Sequence, residues 1–574
     1  MSRARAFFVN LLLFTAFSLH GVTSLEQPPD VTLGRTRLTG ARNAELNVEF
    51  FGGIPFAESP LGDLRFRQPV LKSALNTSEF DASKPGLACL QAALPADAVT
   101  EDCLTLNIFR PAAATGSTEK LPVLFWIYGG GWISGSAARY NGSRLVSRSV
   151  ARGTPVLVVT VNYRTGPLGF PLGEEAAGDN VLNLGLRDNL VALEWVQANI
   201  EAFGGDPSKV TMFGESAGAG EIDLLLFNDQ INDLASGAIL ESDPGIALMV
   251  PSLTNEVWSG FVGAVSACSH LSNTKNTLEC LRSESVSSGD LLQAFELANV
   301  TFSGPSAVWG PVLDGKGGVI PDYPSRSTVK ADFPVIIGNC LDEGTIFEYQ
   351  STINTSSDDA VRELVKLLSQ RPPGENEAIQ RITEHILEAY PNVPSLGSPF
   401  DTGNDTFGLD PSYKRVSAVL GDSLFQSHRR FLLEQLAQRP QTQVYSFIFA
   451  DSNEGVITVP REFILGSPPP GSLGVTHSAE IFYVFGTLED ELGAETVARS
   501  TSELSQAMMD YWISFAVTGD PNDGRGAQRP SWKPFSSDNR VIIQLKGNDT
   551  RMIPDTFREK TISVFNEDPI AFRR

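Results

Sequence analysis

Short apolar runs rich in β-branched and aromatic residues recur along this chain, at 122–128, 155–163, 209–213, 237–240, 334–337 and 444–449. They are apolar throughout instead of alternating with polar residues, the pattern of strands covered on both faces. Between them, apolar residues return every three or four positions, most clearly over 186–200, which predicts helices. Strand alternating with helix predicts an α/β fold: a mostly parallel central sheet with helices on both faces and long insertions. Ligand chemistry in such sheets collects at the carboxyl ends of strands, so motifs just past a predicted strand carry the most weight.

Composition refines this picture. With 574 residues and 42% hydrophobic content the chain can bury a large core. No linker, charge block, low-complexity tract or repeat divides it, so residues 25–574 are expected to form a single domain. Residues 1–24 have the make-up of a secretory leader: Arg3 and Arg5, an apolar run over 7–19, and Val22-Thr23-Ser24 as a cleavage site. That run is too short for a membrane span, and the last residues, Ala571-Phe572-Arg573-Arg574, form no lipid-anchor signal. The expectation is a secreted, soluble protein with no stable membrane anchor.

A net charge of −23 excludes nucleic acid as a partner, since phosphate binding needs a basic stripe. Six N-x-S/T sequons, at Asn76, Asn141, Asn299, Asn354, Asn404 and Asn548, agree with export and glycosylation. Of the five cysteines, local pairing would join Cys89 to Cys103 and Cys268 to Cys280, leaving Cys340. No Cys or His spacing resembles a zinc site, so no metal is expected.

The chemistry centres on Gly214-Glu215-Ser216-Ala217-Gly218, between the strand at 209–213 and a helical run at 222–227. That is the strand–turn–helix context of a G-x-S-x-G nucleophile elbow, which exposes the Ser216 hydroxyl at a sharp turn. A serine needs a base to take its proton. Of five histidines, His20 falls in the leader, His270 in the second cysteine loop, and His385 and His428 read as surface residues. His477 remains, ending a Pro/Gly-rich stretch just before the apolar run 481–485. The orienting acid should lie between them, and Asp342-Glu343-Gly344 directly follows the strand at 334–337; chemistry alone does not choose between the two acids. Tyr128-Gly129-Gly130-Gly131-Trp132 follows another strand and supplies main-chain N–H groups for an oxyanion. It lacks the Lys-Ser/Thr ending of a phosphate-binding loop.

These residues resemble the type-B carboxylesterase/lipase family, the cholinesterase-like α/β-hydrolases. Its landmarks are Gly53-Ile54-Pro55-Phe56-Ala57, Leu64-Arg65-Phe66, Glu101-Asp102-Cys103-Leu104, Phe203-Gly204-Gly205-Asp206-Pro207 and Thr518-Gly519-Asp520-Pro521. The resemblance implies Ser216 as nucleophile, Glu343 as acid and His477 as base. It also implies Gly130, Gly131 and Ala217 as oxyanion donors, both local disulfides, and the supporting pairs Arg65–Glu101 and Arg164–Asp188. Residues 397–403 and 415–422 look like secreted fungal lipases and sterol esterases. The implied activity is hydrolysis of lipid-type or medium-chain esters without a cofactor; the alternative is a catalytically inactive cholinesterase-like adhesion or binding protein. Glu221 stands where the family has a small residue, and is expected to be paired or turned outward. The loop closed by Cys89 and Cys103 is interrupted by Pro95 and has room for about one helical turn.

Overall fold

The computed structural model describes residues 27–112, 119–245, 247–302, 309–350, 358–369, 377–439, 441–459, 464 and 466–574. The expected leader and the Asn354 sequon lie outside these residues. The sheet strands are β1 (Ala41–Asn43), β2 (Val48–Pro55), β3 (Thr105–Pro111), β4 (Leu121–Ile127), β5 (Leu157–Val161) and β6 (Gly205–Glu215). They are followed by β7 (Gly237–Glu241), β8 (Val335–Cys340), β9 (Val444–Phe449), β10 (Val541–Leu545) and β11 (Arg551–Pro554). All belong to one 11-stranded sheet in the order β11-β10-β9-β8-β7-β6-β4-β5-β3-β2-β1. Strands β4 to β10 run parallel, and β1–β3 and β11 are antiparallel at the edges.

Every predicted strand is present. Strands β4, β5, β7, β8 and β9 are buried along their whole length, because helices cover both sides. The covering helices include α1 (Ser143–Ala151), α2 (Leu184–Asn199), α3 (Ala217–Leu225), α4 (Ser412–Gly421), α5 (Ser427–Ala437) and α6 (Arg499–Thr518). Successive side chains on β9 show the two layers. Phe447 packs on Trp512 of α6, while the neighbouring Ser446 hydroxyl accepts a bond from Arg429 of α5.

The family's supporting pairs are formed. Arg65 makes a two-pronged contact with Glu101 at 2.7 and 2.8 Å, and Arg164 with Asp188 at 2.9 and 2.7 Å. Cys89 is bonded to Cys103 and Cys268 to Cys280, and Cys340 is free and buried. Of the described sequon asparagines, Asn76, Asn141, Asn404 and Asn548 are exposed and Asn299 is half-buried.

The 89–103 loop stays short of a helix: the Ala98 N–H donates to Pro95 O at 2.9 Å, closing a single turn, and Ala88 and Cys89 pair with Val99 and Thr100 as a short parallel bridge. One expectation is corrected. His428 is not a surface residue: it is 4% exposed, held between Asp223 and Asp243. Its apparent helix-surface position beside two arginines is misleading because Arg429 and Arg430 turn inward too, both bonded to the buried Asp555.

Candidate active site

Ser216 sits at the junction of β6 and α3 with φ +54°, a strained value for a residue with a side chain. Its N–H donates to Glu241 O at 2.9 Å and its carbonyl accepts from Gly220 N at 2.9 Å, so the turn is pinned from the end of β7 and from α3. The flanking glycines are required: a Cβ on Gly218 would lie 2.1 Å from Ile127 O, and one on Gly214 2.7 Å from the same atom. Ser216 is half-buried, open enough to meet a substrate.

The triple-glycine loop follows β4 directly. A Cβ on Gly129 would lie 2.8 Å from Ser216 Cβ, and one on Gly130 2.3 Å from Ser134 O, so the main chain approaches the elbow as only glycine permits. Gly130 and Gly131 also have φ of +115° and +62°. Among the described residues, the N–H groups of Gly130, Gly131 and Ala217 find no acceptor in the protein. Three unspent donors beside one serine form an anion cradle.

The choice between the two adjacent acids falls to Glu343, whose Oε2 lies 2.7 Å from His477 Nδ1. Its other oxygen accepts from Cys340 N at 2.6 Å and from the Ser242 hydroxyl at 2.7 Å. Asp342 faces away. Its carboxylate accepts from Ser398 Oγ, Phe400 N and Val475 N at 2.8, 2.8 and 2.9 Å, tying the His477 loop to the chain at 398–400. Phe347 and Phe425 flank the imidazole, with centroids 5.1 and 4.8 Å away.

His477 is not hydrogen-bonded to Ser216 in this structure. Its Nε2 instead lies 3.2 Å from Oε1 of Glu215, the residue before Ser216, which also accepts from the Ser478 hydroxyl. Glu215, Glu241 and Glu480 are further buried acids that sequence reasoning passed over. The signal was present for two of them, Glu215 inside the elbow pentapeptide and Glu480 three residues past His477. Burial pushes the Glu215 carboxyl up to about 8, helped by the charges of Glu480 and Glu343 and opposed by His477 and Ser478. Burial alone would lower His477, but Glu215, Glu343 and Glu480 outweigh it and push the imidazole up to about 9. Glu480 is raised by burial and by Glu343; the Cys340 thiol donates to it at 3.0 Å. Burial raises Cys340 well above the usual thiol range, so it stays a neutral donor.

Glu221 is paired, not turned outward. It is fully buried and accepts from Asn189 on α2, and burial raises its carboxyl well above the usual range, which keeps it neutral.

The sheet, its helical layers and the elbow at the end of β6 are those of the α/β-hydrolase fold. The carboxylesterase family's sequence profile matches residues 27–564. The chain belongs to that family and is a carboxylic ester hydrolase. It is 32% identical to lipase 2 of Geotrichum candidum over 97% of this chain and 98% of that protein. It is 34% identical to secreted lipase 1 of Botryotinia fuckeliana, covering 92% and 91% of the two chains. The crystal structure of Aspergillus niger EstA superposes with a TM-score of 0.76 at 27% identity, covering 95% of this chain and 99% of that one.

Proposed function

We propose that this protein is a secreted serine esterase of the lipase type, in which residues 25–574 act as one catalytic domain. His477, oriented by Glu343, takes the Ser216 proton as the hydroxyl attacks the ester carbonyl, forming a tetrahedral intermediate. The N–H groups of Gly130, Gly131 and Ala217 hold its oxyanion, each donor contributing about 3 kcal/mol. The intermediate collapses as His477 protonates the leaving alcohol, and water hydrolyses the acyl-enzyme by the same route. The observation that carries this reading is the conjunction of the Glu343–His477 bond with three unoccupied N–H donors around a strained serine. An adhesion or binding role would not require those donors to stay free.

Export is supported by the leader-like residues 1–24 and by relatives that include secreted lipase 1 of Botryotinia fuckeliana. No helix among the described residues is long and apolar enough to cross a membrane. Lipid-type or medium-chain esters are the proposed substrates, in line with the relatives' names. Ser216→Ala should lower kcat by on the order of 10⁶-fold with folding retained; a variant keeping a tenth of the activity would remove Ser216 from its role. A chain-length series of p-nitrophenyl esters, with a triglyceride and a sterol ester, identifies the acyl and alcohol preference.

A further inference from the structure

Behind the nucleophile helix lies a second cluster of ionisable side chains that ester hydrolysis does not use. Asp223 comes from α3, Asp243 follows β7, and His428 opens α5. All three are buried, at 4%, 0% and 4% exposure. One ligand atom from each falls within 4.8 Å of the others. His428 Nε2 lies 3.1 Å from Asp223 Oδ2 and 3.2 Å from Asp243 Oδ2.

A single N–H cannot satisfy two carboxylates. Asp223 Oδ1 has no hydrogen-bond partner, and neither oxygen of the fully buried Asp243 accepts a well-directed bond. Buried carboxylates left in this way are costly. The guanidinium of the buried Arg574 acts on Asp243 by charge, but it donates to Ser427 Oγ and Ser423 O. We propose that Asp223, Asp243 and His428 form a structural site for a divalent transition-metal ion, zinc above all. One imidazole nitrogen and two carboxylates match the donor preference of zinc. Donor atoms at about 2.0–2.2 Å from a tetrahedral ion stand about 3.3–3.6 Å apart, close to the 3.1 and 3.2 Å separating His428 Nε2 from the two carboxylates. The ion takes the place of the proton on His428 Nε2 and clamps α3, the end of β7 and α5 together. Spacing along the chain gave no hint of it, because the three ligands come from segments distant in sequence.

The test uses the full chain produced in zinc-supplemented and zinc-free media. Wild type from zinc medium should retain about one zinc per chain after dialysis and melt at a higher temperature than the zinc-free protein. Asp223→Asn and His428→Gln should each cut zinc content by about tenfold or more. Zinc X-ray absorption of the wild type should show one imidazole among oxygen donors and no sulfur, a measurement that does not depend on either variant folding. Wild type with less than about a tenth of an equivalent of zinc and no melting shift would overturn the site. So would undiminished zinc in both folded variants, or sulfur ligation; His428 would then be a protonated bridge between two aspartates.

Discussion

Asp342 and Glu343 are adjacent acids whose side chains meet different partners, His477 for Glu343 and Ser398, Phe400 and Val475 for Asp342. Glu343→Gln keeps the shape but removes the acceptor that holds His477 in the correct tautomer, so kcat should fall by about 10⁴-fold. Asp342→Asn should cost less activity, its effect appearing as lower stability because the carboxylate ties down the His477 loop. Steady-state kinetics on both variants gives the ranking, and the reverse order would move the orienting acid by one residue. The acid environment also sets the pH profile. His477 must be neutral to act as base, so activity is lost on acidification through its pKa. An isolated histidine would place that limb at roughly 6–7; the carboxylates around the ring raise it. We expect kcat/KM to fall with an apparent pKa above 6.5, the ordinary histidine value. Glu215→Gln should shift this limb to lower pH by removing the charge beside Nε2. An unmoved limb would mean that Glu215 is uncharged throughout the transition.

The 89–103 loop is fastened down. Gln91 Nε2 donates to Gly135 O at 2.7 Å and Gln91 Oε1 accepts from Gly135 N at 2.9 Å, while the Thr165 hydroxyl donates to Leu90 O. Leu90 and Val99 are buried in the core beneath it, so the loop has little apolar surface for an oil interface to attract. Hydrolysis of dissolved tributyrin should therefore follow Michaelis behaviour, with little or no jump as droplets form. A rate near zero until the solubility limit, followed by a steep rise, would show that the loop opens at interfaces. At this scale the parallel strands β4–β9 were readable because their central stretches are continuously apolar; β10, short and buried on only part of its length, was not. The antiparallel strands were not: β2 contains two glycines and β11 is partly exposed, so neither has a strong period.

Across the molecule, buried groups with raised proton affinity act in one direction. Glu348 is pushed up to about 8 and Asp342 to about 6, with burial as the largest influence, and His477 to about 9, where burial opposes the rise and Glu215, Glu343 and Glu480 overcome it. A group whose folded pKa exceeds its unfolded value stabilises the fold fully below the unfolded pKa, and that contribution is lost as pH rises through the folded pKa. The unfolding free energy should therefore decline from about pH 5 to about pH 9, by about 1.4 kcal/mol per pH unit for each extra proton the native state holds, and the melting temperature with it. A net charge of −23 adds self-repulsion on the alkaline side. Calorimetry across that range checks this, and stability rising toward pH 9 would contradict it. The sequence by itself determined the fold class, the elbow serine, the glycine loop and the candidate base, because these depend on local periodicity, backbone permissiveness and a small supply of histidines. Local chemistry left two acids open and only the family resemblance favoured Glu343; the tertiary structure set Glu343 on His477, placed Glu215 against its far nitrogen, and carried His428 from an expected surface into contact with two aspartates. Those outcomes depend on side-chain direction and on contacts between segments hundreds of residues apart, such as the 263 residues separating Ser478 from Glu215, and no local pattern encodes them.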